Sequence, residues 1–440
     1  MSRAQTLLLT LLHFALARLR WHTLHGVRLR RYQAQRVRRI VAYADAHSPF
    51  YHRHWLGHDL RKWRTLPTVD KKTMMDNFDG FNTVGLSKDS AMEVALHAER
   101  SRDFSPTLNG YTVGLSSGTS GHRGIFLAGP WEQAAWAGCI LSRTLHTLRP
   151  RRLRVAFFLR SNSNLYEKIG GIFVQFQFFD LMLPIEQAVA RLNDFMPHII
   201  VAPPSLLGFL ADARERDALR IAPEWLVSVA EVLEPQDEAR LSALFAAPVH
   251  QIYQCTEGLL AISCAYGSLH IQEDLVLMQF EKLDSGNRVS PIVTDLWRTT
   301  QPIIRYRLND VLRISPEKCV CGSSFRVIEA IEGRSDDVLL FYALDGSERT
   351  FFPDTIRRMV LLASPHIEDY CAVQSHPGHL RIYLAVVGGT PFLQIGEAAA
   401  ESVRQTLAQY NCLPADLEIV DGLPLMPAGA KRRRVVRQVS

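Results

Sequence analysis

Acidic side chains are missing from the first 44 residues, which carry nine arginines. A segment of one sign cannot neutralise itself, so its counter-charge must lie in the body of the chain or on an anionic surface. The tail repeats the bias with Lys431, Arg432, Arg433, Arg434 and Arg437. Without these two ends the 440-residue chain is net acidic, although the whole carries +6. The basic balance therefore describes the ends and excludes a nucleic-acid surface spread over the body. Cysteine is sparse: seven residues at irregular spacing, unlike a secreted disulfide framework. A reducing, cytoplasmic compartment is expected. The N-terminal apolar run, Ala4–Ala17, has 14 residues, too few to span a bilayer. It enters Arg18 and Arg20 without a small-residue cleavage site, unlike a signal peptide. Internal repeats and low-complexity tracts are absent too.

What is present is ordinary in amount: 47% hydrophobic and 21% charged residues suit a globular chain, and its length suits two domains. In the N-terminal segment Leu29, Tyr32, Val37, Ile40, Val41 and Ala44 recur at helical spacing. This predicts one or two helices packed on the body. The alternative is a basic amphipathic arm at the inner face of an anionic membrane. Over 150–260, apolar runs at Leu153–Leu159, His198–Ala202, Trp225–Ala230 and Val249–Tyr253 alternate with helical patterns at Leu206–Arg216 and Pro235–Phe245. Such alternation predicts an α/β body with parallel strands and binding loops at their C-terminal ends.

The polar groups fall where that architecture wants them. Tyr111–Leu127 reads YTVGLSSGTSGHRGIFL. Its core, Ser116, Ser117, Gly118, Thr119, Ser120 and Gly121, offers hydroxyls and closely approaching backbone N–H groups, the chemistry of a phosphate cradle or of a polar turn. No Gly-Lys-Ser/Thr follows, so it is not a Walker loop. Glu231 follows one strand, and Thr256 and Glu257 follow another; a carboxylate beside a hydroxyl suits Mg²⁺ and a phosphate oxygen, or caps a helix. Asp310 ends an apolar run, where an acid can accept ribose hydroxyls. Gly333–Asp337 reads as a turn or hinge, and Lys431 follows a Pro-Ala-Gly-Ala loop.

Taken in order, LSSGTSG, YQCTE (Tyr253–Glu257), YRLND (Tyr306–Asp310), GRSDD (Gly333–Asp337) and the lysine loop resemble the adenylate-forming acyl-CoA synthetase superfamily. The nearest likeness is to the phenylacetate–CoA ligase-like, F390-synthetase-related branch. The resemblance runs from Ser48-Pro49 to Lys431. It implies a large N-terminal α/β domain with a smaller mobile α+β C-terminal lid: a basic helical arm at 1–65, an adenylate-binding domain at 66–335 and a lid at 336–440. It implies adenine beside Tyr253 and Glu231, phosphates on Thr256 and Ser116–Gly121, Mg²⁺ on Glu257, ribose on Asp310 and Arg334, a hinge at Asp336, and Lys431 as the mobile catalytic cation. The implied reaction uses ATP to adenylate a carboxylic acid, an aryl acid favoured. CoA or a carrier-protein phosphopantetheine thiol then displaces AMP. Rivals are an adenylyltransferase that leaves AMP on its product and a non-catalytic nucleotide-binding scaffold. The chain departs from the family at His122-Arg123, where a lysine is common and Arg123 is the expected substitute. In the tail, Arg432 and Arg433 compete with Lys431.

Two further expectations stand apart. Cys264, His270, Cys319 and Cys321 offer four ligands for a structural Zn²⁺. Phe157, Phe158, Tyr166, Phe173, Phe176, Phe178 and Phe179 supply rings of which one or two would line an acyl pocket, the remainder filling the core.

Overall fold

A computed structural model describes residues 2–101, 103, 106–116, 123–145, 152–159, 174–181, 183–284, 286–334, 337–425 and 433–438. The chain forms two compact units. One comprises residues 1–308 and 314–329, the other 309–313 and 330–440. Residues 1–65 thus fall within the first unit.

The first unit opens with two long helices, α1 (Arg3–Thr23) and α2 (Gly26–His47). Ser2 starts α1 with a reciprocal cap: its hydroxyl accepts the Gln5 N–H while the Gln5 side chain accepts the Ser2 N–H. Short helices α3 (Pro49–His54), α4 (Lys71–Asp76) and α5 (Phe78–Phe81) follow, then α6 (Lys88–Ser101). Strands β1 (Thr112–Leu115) and β2 (Ile125–Ala128) form an antiparallel pair, and α7 (Pro130–Thr144) comes next.

The main sheet is built as the apolar runs predict. Strands β3 (Leu153–Leu159), β4 (Val174–Asp180), β5 (Ile199–Ala202), β6 (Trp225–Val229) and β7 (Val249–Cys255) are parallel, in the spatial order β4-β3-β5-β6-β7. Helices α8 (Ile185–Phe195), α9 (Pro204–Glu215) and α10 (Pro235–Phe245) supply the crossovers. Pro204 and Pro235 each begin a helix, where a missing N–H costs nothing. One face of the sheet buries Phe158, Phe179, Leu192, Leu207, Leu210 and Leu226. Strand β8 (Gly258–Ser263) continues the sheet antiparallel to β7, and β9 (Leu269–Ile271) antiparallel to β8. Strands β10 (Val276–Lys282) and β11 (Arg288–Asp295) form a hairpin, with β12 (Tyr306–Arg307) beside β11. The chain passes between units within β13 (Asp310–Ile314) and β14 (Val327–Arg334).

The second unit has a two-stranded sheet, β15 (Leu339–Tyr342) with β16 (Glu348–Phe351). Its four-stranded sheet pairs β17 (Ile367–His376) with β18 (His379–Val386) across the His376-Pro377-Gly378-His379 turn. Strand β19 (Asp416–Asp421) runs parallel to β18, and β20 (Val435–Arg437) parallel to β17. Helices α11 (Pro353–Leu361) and α12 (Phe392–Gln409) close its core over Ile356, Val360, Val403 and Leu407.

The arginines of the N-terminal helices find their first partner in Asp274, whose side chain is fully buried. Arg20 Nε donates to Asp274 Oδ2 at 2.8 Å, and Arg143 Nη2 of α7 donates to both carboxylate oxygens at 3.0 Å. Tyr32 of α2 and the Trp297 indole each donate to the Asp274 carbonyl at 3.0 Å. Arg143 also donates to the Ala17 carbonyl at 2.7 Å, and Gly138 lets α7 approach α1 so closely that a Cβ there would sit 2.4 Å from the Thr10 carbonyl oxygen. Breaking a buried ion pair by removing one partner costs about 3–5 kcal/mol. Asp274→Asn should therefore lower the stability of the first unit by about that amount, read as a fall in its urea midpoint. An unchanged midpoint would show that the two guanidiniums do not depend on this carboxylate.

Candidate functional site

The polar loop begins and ends at a fixed neck. Ser116 N–H donates to the Gly124 carbonyl and Gly124 N–H to the Ser116 hydroxyl, both at 2.7 Å. These bonds extend the β1–β2 pairing by one rung, which follows from Leu115 standing opposite Ile125. Ser117, Gly118, Thr119, Ser120 and Gly121 lie outside the described residues.

Arg123, the expected substitute for the absent lysine, is ion-paired within the chain. Its guanidinium forms a two-pronged ion pair with Glu99 of α6, one prong at 2.7 Å, and Nε donates to the Ser116 carbonyl at 3.3 Å. It straps the loop neck to α6. A lysine does reach the neck, from another part of the chain. Lys71 Cε lies 3.2 Å from where a Gly124 Cβ would stand, and Ser116 Oγ lies 3.5 Å from that point. Lys71 is placed by the start of α4, which Asp70 caps by accepting the Thr73 N–H at 2.7 Å.

At the ends of β6 and β7 stand the predicted carboxylates. Glu231 accepts the Ser205 N–H and hydroxyl, each at 3.1 Å, which ties the loop after β6 to the first turn of α9. Ala230, just before it, has φ +69 and turns the backbone there. Tyr253 sits in β7 opposite Ala261. Thr256 Oγ1 donates to Glu257 Oε2 at 2.9 Å, and Arg298 donates to the Thr256 carbonyl at 2.5 Å. Glu257 is buried, and its neighbour Tyr306 more so. The Tyr306 hydroxyl has no hydrogen-bond partner among the described residues. Burial, reinforced by the Glu257 charge, pushes its pKa well up, so it remains a proton donor. A buried carboxylate beside a hydroxyl and an unsatisfied phenol is a hard-oxygen set that fits Mg²⁺. Tyr306 was visible in the sequence only as part of YRLND; its orphaned hydroxyl needed the structure.

In the second unit, Arg334 Nε and Asp310 Oδ1 come within 3.9 Å, so the pair expected to share a ribose is brought together. Asp336, Lys431 and Arg432 lie outside the described residues. Arg433 is ion-paired with Asp337, and Arg434 donates to Asp369 at 2.7 Å. Arg433, the expected competitor of Lys431, is thereby engaged within the second unit.

The four soft ligands converge. The ligand atoms of Cys264, His270, Cys319 and Cys321 all lie within 4.8 Å of one another. Cys264 Sγ to Cys319 Sγ is 3.7 Å and Cys321 Sγ to His270 Nε2 is 3.4 Å. A tetrahedron with metal–sulfur bonds of about 2.3 Å has edges of roughly 3.5–3.8 Å, so the spacing fits Zn²⁺. His270 Nδ1 hydrogen-bonds the Phe325 carbonyl at 2.8 Å, which aims Nε2 at the sulfurs. The Cys-x-Cys segment turns at Gly322, with φ +80, so that the Cys321 and Ser323 N–H groups donate to Cys319 and Cys321 sulfurs at 3.4 Å. Burial opposes it, but hydrogen bonds from Ser268, the Cys321 N–H and His270 bring the Cys319 thiol down to about 6.

Known proteins share this arrangement of chain. No family model matches it. A phenylacetate-coenzyme A ligase from Thermus thermophilus is 26% identical over 413 residues, 85% of either chain. A second, from Aromatoleum evansii, is 23% identical over 256 residues, 54% of this chain and 56% of that one. Among solved structures, a 2-hydroxyisobutyryl-CoA ligase in its postadenylation state superposes with a TM-score of 0.70 at 16% identity, over 95% of this chain and 91% of that one. The chain is similar to phenylacetate–CoA ligases and has the fold of the adenylate-forming CoA ligases.

Proposed function

We propose that this chain, similar to phenylacetate–CoA ligases, adenylates a carboxylic acid with ATP and transfers the acyl group to the thiol of CoA. The observation that carries the reading is the placement of Glu231 and of the Thr256–Glu257 pair at the ends of β6 and β7, in a fold whose relatives are CoA ligases. The acid's carboxylate attacks the α-phosphate and pyrophosphate leaves. The protein's tasks are to place the two reactants and to balance negative charge that spreads over the phosphate. Glu257, oriented by the Thr256 hydroxyl, would hold Mg²⁺, which supplies charge neutralisation at the phosphates. Asp310 would accept the ribose hydroxyls beside Arg334. A carrier-protein phosphopantetheine is the alternative acceptor. An enzyme that retains AMP on its product would show adenylation without thioester.

Two lysines would divide the cationic work. Lys431 would meet the phosphate in the adenylation step, and Lys71, beside the loop neck, would replace the lysine that the loop lacks. Acid-dependent exchange of labelled pyrophosphate into ATP tests the reading as a whole; no exchange with any acid offered would leave only the nucleotide-binding scaffold. In Lys431→Ala, exchange should fall at least about 100-fold while thiol attack on supplied acyl-adenylate persists. In Lys71→Met the KM for ATP should rise about tenfold, whereas Arg123→Gln should lose stability with KM unchanged. The reverse pattern would return the cationic role to Arg123.

The acid is proposed to be aromatic. Parallel pairing of β3 and β4 sorts their rings by face. Phe158 and Phe179 stack in the helix-covered core at 4.6 Å. Phe157, Phe176 and Phe178 share the opposite face with Val201 and Val229. Tyr166 and Phe173 lie outside the described residues. The second group would supply the rings that meet an acyl group, and flat acids stack on such rings. Phenylacetate-, benzoate- or cinnamate-like acids should give higher turnover than saturated acids of similar size. A preference for long saturated chains would mean a tunnel instead.

A structural Zn²⁺ at Cys264, His270, Cys319 and Cys321 completes the reading, and four protein ligands leave it no open position for chemistry. Protein prepared without chelator should carry about one zinc per chain, and Cys319→Ser should lose it and melt earlier without altered acid preference. Metal analysis finding none would remove this part alone. Peripheral contact with a membrane through α1 and α2 is also proposed.

A further inference from the structure

Helix α1 is built inside out. Its buried face carries Thr10, His13 and Arg20 along with Ala17, all at most 9% exposed. Thr10 turns its hydroxyl to the Thr6 carbonyl at 2.8 Å, His13 packs edge-on to Trp131 and Trp297, and Arg20 reaches Asp274. The leucines point the other way. Leu8 is 69% and Leu19 58% exposed, with Leu11 and Leu12 between them about half exposed. Ala4 and Ala15 are exposed as well. Positions 4, 8, 11, 12, 15 and 19 fall on one stripe at 3.6 residues per turn, about 22 Å long at 1.5 Å per residue. Scattered surface leucines need no explanation, but a continuous apolar stripe on a helix whose polar residues face the core does.

The charge of α2 is divided in a similar way. Arg36 is consumed internally: it donates to the Leu296 carbonyl at 2.8 Å and stacks over the Trp297 ring at 3.7 Å. Arg28, Arg31, Arg38 and Arg39 are exposed and recur at helical spacing on one side. A shallow groove lined by Arg31, Ala34, Gln35, Arg38, Arg39 and Ala42 runs along that side. The first acidic side chain in the sequence is Asp45.

We propose that α1 and α2 form a docking face for an anionic lipid surface, independent of the reaction assigned to the chain. A bilayer interface accepts both halves of the face: the leucines enter the acyl boundary and the arginines meet lipid phosphates. A second copy would bury the leucines only by bringing two copies of this arginine-rich segment together, which like-charge repulsion opposes. No helix among the described residues is long and apolar enough to cross a membrane, so the contact is peripheral.

The test uses the full chain. Deleting α1 is unsuitable, because Arg20 and its bond to Asp274 would go with it. Sedimentation with vesicles of phosphatidylcholine and phosphatidylglycerol should pull the intact protein down at low salt, and vesicles of phosphatidylcholine alone should not. The triple variant Leu8→Gln, Leu11→Gln, Leu12→Gln should lose at least about tenfold in binding. Arg31→Gln, Arg38→Gln, Arg39→Gln should lose a similar factor and most of the salt dependence. Both should keep the wild-type melting midpoint. Absence of vesicle binding by the intact chain, or undiminished binding by the leucine variant, overturns the proposal. So does a concentration-dependent dimer that the leucine variant dissolves while vesicles bind neither protein, which would make the face an interface between copies.

Discussion

A carboxylate with no access to water, Asp274, holds the first unit's outer helices to its sheet. An isolated buried charge is prohibitively costly, so the site persists only because two guanidiniums arrive together, Arg20 from α1 and Arg143 from α7. Each arginine is in turn buried by the contact. Arg143 stacks over Trp21 at 4.8 Å and Arg20 over Trp297 at 5.1 Å. The rings shield the ion pairs, and the ion pairs fix the rings. Trp21 then packs edge-on against His270 at 5.1 Å, and the Ser324 hydroxyl donates to the Leu24 carbonyl. The end of α1 is thus seated on the cysteine–histidine cluster, so the cluster's rigidity bears on the N-terminal helices as well as on β9.

Local pattern was a good guide where the physics is local. The apolar runs at Leu153–Leu159, Trp225–Ala230 and Val249–Tyr253 became strands because their burial on both faces needs no knowledge of the partner. The Cys-x-Cys-Gly segment was legible because its geometry is contained within it, although convergence with Cys264 and His270 rests on the β8–β9 hairpin. The Ile169–Asp180 run yields a described strand only from Val174.

What stayed hidden depends on long-range pairing. Helical periodicity marks a face but does not say which face is inward. In α1 the usual assignment of leucines to the core fails, because Arg20 is fixed by a residue 254 positions away. The same holds for the phosphate loop. The resemblance nominated Arg123 in place of a lysine, and the sequence could not show that Arg123 pairs with Glu99 or that Lys71 of α4 lies beside the neck. Nor could the sequence sort the phenylalanines, whose alternate faces follow from the register of β3 against β4.

The pairing of Arg20 with Asp274 also sets an order of events during synthesis. At ~5–20 residues per second, the 254 residues between them take on the order of ten to fifty seconds to make. During that interval α7, complete at Thr144, already offers α1 the Gly138–Thr10 approach and the Arg143 bond to the Ala17 carbonyl, but Arg20 and Arg143 both wait for their shared carboxylate. The buried end of α1 is therefore fixed only after Asp274 has been made. Until then the Arg20 guanidinium stays in water, and its desolvation coincides with that of the carboxylate it meets.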